Sequence, residues 1–228
     1  MTFSIVAREH DGSMFGVAIA SSSPAVAARC AHARAGVGAV ATQNITNPAL
    51  GPAVLSQLEG AVGTPTALQG ALATDAHADY RQLLAIGRVG SAAIRSGAQV
   101  LGIHGEAIGE HAAAAGNLLA RATVPSAMLQ AFERANGQFG TRLLAALSAA
   151  LDEGGEAGPV HSAGLLIVRD LSWPIVDLRV DWNERDPIAT LSSLWEMYSP
   201  QIEDYVRRAQ DPAIAPSFNV ATDPESRR

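Results

Sequence analysis

Threonine stands second in the chain, directly behind Met1. If Met1 is removed, one residue carries both a hydroxyl and a free α-amine. That pair is a nucleophile with its own general base. The α-amine suits the task because its unperturbed pKa lies near ~7.7–8.0, close to where a base working at neutral pH should sit. Threonine is also small enough for methionine aminopeptidase to act. Position alone does not single Thr2 out, since many chains open Met-Thr merely as the start of an edge strand.

Other chemistries find little support. The six histidines, at 10, 32, 77, 104, 111 and 161, form no His-Glu-x-x-His pair or other tight ligand spacing. No metal is therefore expected. No Gly-x-Gly-x-x-Gly leads from a strand into a helix and no Walker A loop is present, so no nucleotide cofactor is expected either. The nucleophile elbow Gly-x-Ser-x-Gly is absent. Cys30 lies in an alanine-rich segment and reads as an inert buried thiol.

What remains is a set of polar residues at strand ends. Thr2 and Ser4 share one face of the first strand, while Ser21, Ser22 and Ser23 end the second. Thr42, Gln43 and Asn44 end the third, and Asn117 follows Gly116. Each is bland by itself: Asn after Gly is usually a turn residue. Together they can line one pocket.

The elements that must position them follow from periodicity. Residues 2–8 and 14–20 alternate in the manner of half-buried strands about an Asp11-Gly12 turn signal. A connecting segment at 26–34 precedes a third strand at 36–43. Helices are predicted over 52–59 and 64–73, then a hairpin over 80–94 and short strands joined by glycines over 97–111. Two more helices follow from Val124 and over 141–151, strands over 162–169 and 175–182, and a last helix over 187–209. Paired strands alternate with paired helices, which predicts α+β architecture: two antiparallel sheets face to face, covered outside by helices. The first three strands are expected side by side in one sheet. A single domain is expected over 1–210, followed by a polar, mobile tail over 211–228.

Composition narrows the partners. Of 228 residues, 48% are hydrophobic and 17% charged, enough apolar content for a large core. A net charge of −6 without a basic patch argues against nucleic acid. The longest uncharged run, 35–58, is too broken by Asn and Pro to span a bilayer. One cysteine fits a reducing compartment, and charges at Arg8, Glu9 and Asp11 leave no room for a signal peptide. A cytoplasmic protein is expected. The apolar residues Leu191, Leu194 and Trp195 of the last helix suggest a homo-oligomer, most simply a dimer.

The segments Met-Thr-Phe-Ser-Ile-Val-Ala-Arg at 1–8, Gly-Val-Ala-Ile-Ala-Ser at 16–21 and Ala-Arg-Ala-Gly-Val-Gly-Ala-Val-Ala-Thr-Gln at 33–43 resemble a bacterial family, domain of unknown function 1028. So do Tyr80-Arg81-Gln82-Leu83, Gly116-Asn117-Leu118-Leu119, the run 142–147, Ser162-Ala163 and the run 177–181. The resemblance extends from Met1 to about Tyr198. The family is grouped with the N-terminal nucleophile hydrolases, which implies a four-layer αββα sandwich and hydrolysis of amide bonds. On that resemblance Thr2 is the nucleophile and its amine the base. Asn117 is the expected oxyanion donor, a role worth roughly 2.7–4 kcal/mol of barrier. Gln43 and Asn44 are expected to hold a small amide substrate, with Ser4 and Ser21 lining the same pocket. Threonine peptidases of this class lower the nucleophile's pKa with a lysine. This chain has none, its sixteen basic residues all being arginine. Arg34 is then the nearest candidate for a positive neighbour, although a guanidinium does not usefully give up a proton. The expected function is a cofactor-free amidohydrolase of a small metabolite, the alternative being a non-catalytic ligand-binding or structural protein on the same fold.

Overall fold

The computed structural model describes residues 1–215. Strand β1 (Thr2–Arg8) turns through Asp11, whose Oδ1 accepts from Ser13 N–H at 2.9 Å, into β2 (Phe15–Ser21). A short helix α1 (Val26–Cys30) and strand β3 (Ala31–Arg34) lead to β4 (Gly38–Asn44). Helices α2 (Leu50–Glu59) and α3 (Thr64–Leu72) follow, then β5 (Arg81–Gly87), β6 (Ala93–Ser96), β7 (Gly105–Ile108) and β8 (Ala112–Asn117). After helices α4 (Val124–Arg134) and α5 (Phe139–Asp152) come β9 (Ser162–Val168), β10 (Val176–Val180) and α6 (Pro187–Tyr198).

The strands form two antiparallel sheets, ordered β10-β9-β2-β1-β8-β7 and β3-β4-β5-β6. Strand alternation sends Val6, Phe15, Val17, Ala113, Ala115 and Leu166 toward Ala39, Ala41, Leu84 and Ile86 of the second sheet, and these form the inner core. The opposite face of the second sheet, with Val40, Leu83 and Ala85, packs against Val54, Leu58, Leu68 and Ala71 of α2 and α3. Helices α4 and α5 cover the first sheet. The expected αββα sandwich is therefore present. One detail differs: the third sequence-predicted strand, now β4, lies in the second sheet opposite β1, not beside β2. Its small inward residues Ala39 and Ala41 serve close sheet-to-sheet packing. The predicted connector at 26–34 is itself a helical turn plus a sheet strand.

Small residues on β2 and β9 set the approach of the helices. A Cβ on Gly16 would stand 2.6 Å from Leu143 Cδ1 and 2.9 Å from Phe139 Cε1, so α5 packs directly onto the β2 backbone. A Cβ on Gly164 would stand 2.3 Å from Ala27 Cβ of α1. Trp195 and Leu191 of α6 are buried within this unit, Trp195 Nε1 donating to Thr141 Oγ1 at 3.0 Å. Two of the three apolar residues cited for a homo-oligomer, Leu191 and Trp195, are thus buried within the protomer.

From Glu196 the chain forms a separate small unit. The single helix predicted over 187–209 is interrupted by a 3₁₀ turn at Ser199–Gln201, where Pro200 supplies no N–H, before α7 (Ile202–Gln210). Within it the Tyr198 and Tyr205 rings stack 5.6 Å apart. Of the tail expected over 211–228, residues 216–228 lie outside the described residues. Among the described residues no helix is long and apolar enough to cross a membrane.

Gly164→Ala is expected to lower stability by about 1–3 kcal/mol, the range for overpacking, because the Ala27 methyl cannot rotate away. Combining it with Ala27→Gly should recover part of that loss. Urea unfolding of both single variants and the pair measures the coupling, and strict additivity would show that the two sites do not touch.

Candidate active site

The inner faces of the sandwich are apolar from the Arg8 end of β1 toward its middle and polar at the Thr2 end. Thr2 and Asn117 are directly opposite in the β1–β8 register, and Ser4 lies two residues along on the same face. Gln43 on β4 and Gln82 on β5 are opposite each other in the facing sheet. All five side chains are buried, Thr2 the least so at 6% exposed.

One backbone carbonyl fixes the direction of the interior hydrogen bonds. Gly116 O can only accept, and Gln82 Nε2 donates to it at 3.2 Å and to Ser96 Oγ at 2.9 Å. Gln82 Oε1 therefore faces the other way. It accepts from Gln43 Nε2 at 2.8 Å and from Asn117 Nδ2 at 3.1 Å. Gln43 in turn presents Oε1 to the Ser4 hydroxyl, which donates at 2.7 Å. Asn117 Oδ1 is left buried without a hydrogen-bond partner among the described residues. Ser4 and Gln43 thus hold each other as the floor beneath Thr2.

Above that floor sits Met1. Its carbonyl oxygen accepts from the Thr2 hydroxyl and from the Ser21 hydroxyl. The two hydroxyls are themselves 3.2 Å apart. Ser23 N–H donates to Ser21 Oγ at 3.0 Å, which occupies a lone pair and leaves the Ser21 proton for the carbonyl. Ser162, at the start of β9, donates to Ser23 O at 2.6 Å and accepts from Val26 N–H at 3.2 Å, tying the β2–α1 turn in place.

Two expected residues stand elsewhere. Arg34 pairs across from Gly38 at the start of β4, five residues before Gln43 and so roughly 17 Å along the strand at ~3.4 Å per residue. It forms a 2.7 Å ion pair with Glu59 and is no neighbour of Thr2. The antiparallel return of β3 carries it to the far end of the sandwich. Asn44 has a left-handed backbone (φ 71°), and its amide is spent on Tyr80 O at 2.7 Å and Leu101 N–H at 3.2 Å. It braces loops beside the site and is not free to hold a substrate.

Two residues enter that sequence reasoning missed. Gln82 shares a strand face with the core residues Leu84 and Ile86, so a polar side chain at an inward position was the available signal. Glu156 comes from a Gly/Glu/Pro loop with no periodicity. It reaches the site because residue 156 bridges Leu119 on one flank of β1, while its carboxylate accepts Ser22 N–H at 3.1 Å on the other. Glu156 therefore lies across the open end of β1. It is 4% exposed. Burial pushes its carboxyl up to about 7, against the downward pull of the Met1 α-ammonium and the Ser22 hydrogen bond.

A carboxyl raised in the folded chain holds its proton more tightly there than in the unfolded chain. Its contribution to stability is full below the unfolded value of 4.5 and is lost as pH rises to about 7. Glu156→Gln removes that loss. The variant should match the parent at pH 5 and exceed it at pH 8 by up to about 3 kcal/mol. Chemical unfolding of both proteins at the two pH values checks this, and an identical stability gap at both would contradict it.

The family model described as a Family of unknown function (DUF1028) matches residues 2–191. The crystal structure of protein SPO2555 from Silicibacter pomeroyi, carrying the same family description, superposes with a TM-score of 0.83 at 30% identity, covering 91% of this chain and 94% of that one. Anbu (ancestral beta-subunit) from Yersinia bercovieri gives a TM-score of 0.41 at 12% identity, covering 89% of this chain and 97% of that one. Thiobacillus denitrificans BPH in complex with epoxomicin gives 0.39 at 12% identity, covering 74% and 99%. Neither of these last two likenesses reaches the level from which shared chemistry follows. No curated protein sequence matches the chain. Matched over residues 2–191 by one family model and over 91% of its length by a solved structure carrying the same family description, this αββα chain belongs to the DUF1028 family.

Proposed function

We propose that this protein is a cofactor-free amidohydrolase of a small amide-containing metabolite, with Thr2 as nucleophile once Met1 has been removed. The supporting observation is that two hydroxyls, of Thr2 and Ser21, converge on one carbonyl oxygen at the buried polar end of the sandwich. Here that carbonyl belongs to Met1; in the processed chain a substrate carbonyl would be received beside the same two hydroxyls, clear of the freed Thr2 amine. Thr2 Oγ1 attacks the carbonyl carbon and its proton passes to the Thr2 α-amine. The new C–O bond forms as the amide C–N bond breaks, and the α-amine returns the proton to the departing nitrogen. Water then hydrolyses the acyl ester and restores the hydroxyl.

The hydrogen-bond pattern favours a different oxyanion donor from Asn117. Asn117 has one N–H committed to Gln82 and an unpartnered acceptor, Oδ1, whereas Ser21 O–H already donates to a carbonyl oxygen. We therefore take Ser21 as the donor and Asn117 as a residue that reads N–H groups. Ser4, Gln43 and Gln82 fix the floor. A second reading, a ligand-binding protein without turnover, is favoured by one observation: with Met1 present the Thr2 hydroxyl is engaged by the Met1 carbonyl and no free α-amine stands beside it.

Intact mass of the purified protein separates the two readings, and loss of one methionine residue is expected. In the processed chain Thr2→Ala should abolish amide hydrolysis and leave the fold intact, and Thr2→Ser should retain part of the activity. Ser21→Ala should lower kcat by about 10²–10³, the effect of losing one oxyanion donor, with little change in KM. A screen of small amides against these proteins provides the measurement. Undiminished turnover by Thr2→Ala would remove Thr2 from the mechanism, and full retention of Met1 would favour the binding protein.

A further inference from the structure

Asn117 carries an acceptor that the network does not use. The residue is fully buried, its Nδ2 donates to Gln82 Oε1 at 3.1 Å, and its Oδ1 has no hydrogen-bond partner among the described residues. Buried polar atoms are seldom left so, because an orphan acceptor has given up water for nothing. The residue directly opposite is Thr2. Directly opposed side chains have Cβ atoms roughly 4.5–5.5 Å apart, close enough for one amide to reach across.

The strand ladder supplies a second acceptor. Arg8 N–H donates to His111 O at 2.9 Å, and these two residues continue the β1–β8 register. Hydrogen-bonded pairs recur at every second residue of an antiparallel ladder. Thr2 and Asn117 are therefore such a pair, and Thr2 N–H is directed at Asn117 O. As a peptide nitrogen Thr2 N has that hydrogen alone, so Asn117 Oδ1 goes without. Removal of Met1 gives the nitrogen a second N–H when neutral and a third when protonated.

We propose that Asn117 is the positioning residue for the base: its two carbonyl oxygens take both N–H groups of the freed Thr2 amine and leave the nitrogen lone pair turned toward Thr2 Oγ1. The inference rests on the reading that Met1 leaves and Thr2 acts. As Oγ1 bonds to the substrate carbonyl carbon, its proton passes to that lone pair. The ammonium so formed keeps both Asn117 contacts and returns the proton to the leaving nitrogen. Around Thr2 stand the uncharged side chains of Ser21, Ser4, Gln43 and Gln82, and Glu156 is the ionisable group at the rim. Glu156 is kept in every variant below, so its influence on the amine cancels.

Because the chain has no lysine, the Thr2 α-amine is its one primary amine once Met1 is gone. The full chain is released from a removable fusion cut directly before Thr2, and intact mass confirms the new terminus. The pH dependence of acetylation by acetic anhydride, located by mass on the N-terminal peptide, gives the titration midpoint of the amine. Asn117→Asp should raise that midpoint by about one pH unit or more, the effect of an opposite charge within reach. Acetylation below both midpoints then slows about tenfold. Asn117→Ala leaves Gln43 Nε2 on Gln82 Oε1 and should lower the midpoint, since the ammonium loses an acceptor. It should also lower kcat about tenfold or more with KM unchanged, because it loosens the base and not the substrate. Midpoints unmoved in both variants would overturn the proposal, and Asn117→Ala alone decides if Asn117→Asp does not fold. A raised KM with kcat intact in Asn117→Ala would also overturn it, as the mark of a residue that reads substrate. Undiminished turnover by Thr2→Ala would sink the nucleophile, while the acetylation midpoints still decide what Asn117 holds.

Discussion

A polar group buried between two stacked sheets costs stability unless it finds a hydrogen-bond partner. At the Thr2 end Gln82 supplies most of those partners. It stands on one sheet, donates to the Gly116 carbonyl of the other, and collects amide donors from both. Without it Gln43 and Asn117 would face each other with no fixed polarity. With it the direction of each hydrogen bond from Ser4 to Asn117 follows from one carbonyl that cannot rotate. The polar end of the interior is therefore ordered by the backbone of β8, and Thr2, directly opposite Asn117, inherits that order.

The arginine-only composition bears on the same region. In the interior a guanidinium carries its charge permanently, and each arginine near the core is matched by an anion or carbonyl. Arg142 donates to Glu9 at 3.0 Å, and Arg81 to Asp75 at 2.9 Å, whose carboxyl it holds well below the usual carboxylate range. Arg8 reaches Gly87 O at 2.9 Å, at the opposite end of β1 from Thr2. The charges are distributed so that the polar end around Thr2 is built of hydroxyls and amides, with Glu156 as the ionisable side chain at its rim. The proposed nucleophile would therefore have its own amine as the nearest base.

Much of the architecture was legible in the sequence because it rests on periodicity. Alternation in 2–8 and 14–20, and the apolar spacing of Val124, Met128 and Phe132 in α4, report burial directly. Which sheet a strand joins is a long-range matter, and the small residues of β4 suit both a neighbour and a facing strand. The site was legible in part for the same reason. Thr2, Ser4, Ser21, Gln43 and Asn117 sit at strand ends, and strands carry their residues to predictable faces. Arg34 was misplaced because β3 reverses direction within a segment too short to show a pattern. Glu156 was invisible because its position depends on a loop folding back across two strands. Gln82 was visible as a polar residue at an inward position, but its importance lies in a hydrogen-bond polarity that no spacing encodes.

Strand β1 runs between β2 and β8, so the very start of the chain is seated in the middle of a sheet and not at its margin. That placement constrains handling of the protein in the laboratory. Any leader or affinity peptide genetically fused ahead of Met1 would continue past the Glu156 loop and the β2–α1 turn, over the residues proposed to act. Recombinant versions tagged at that end would keep Thr2 from becoming the first residue, so a test of the proposed activity calls for an untagged N-terminus.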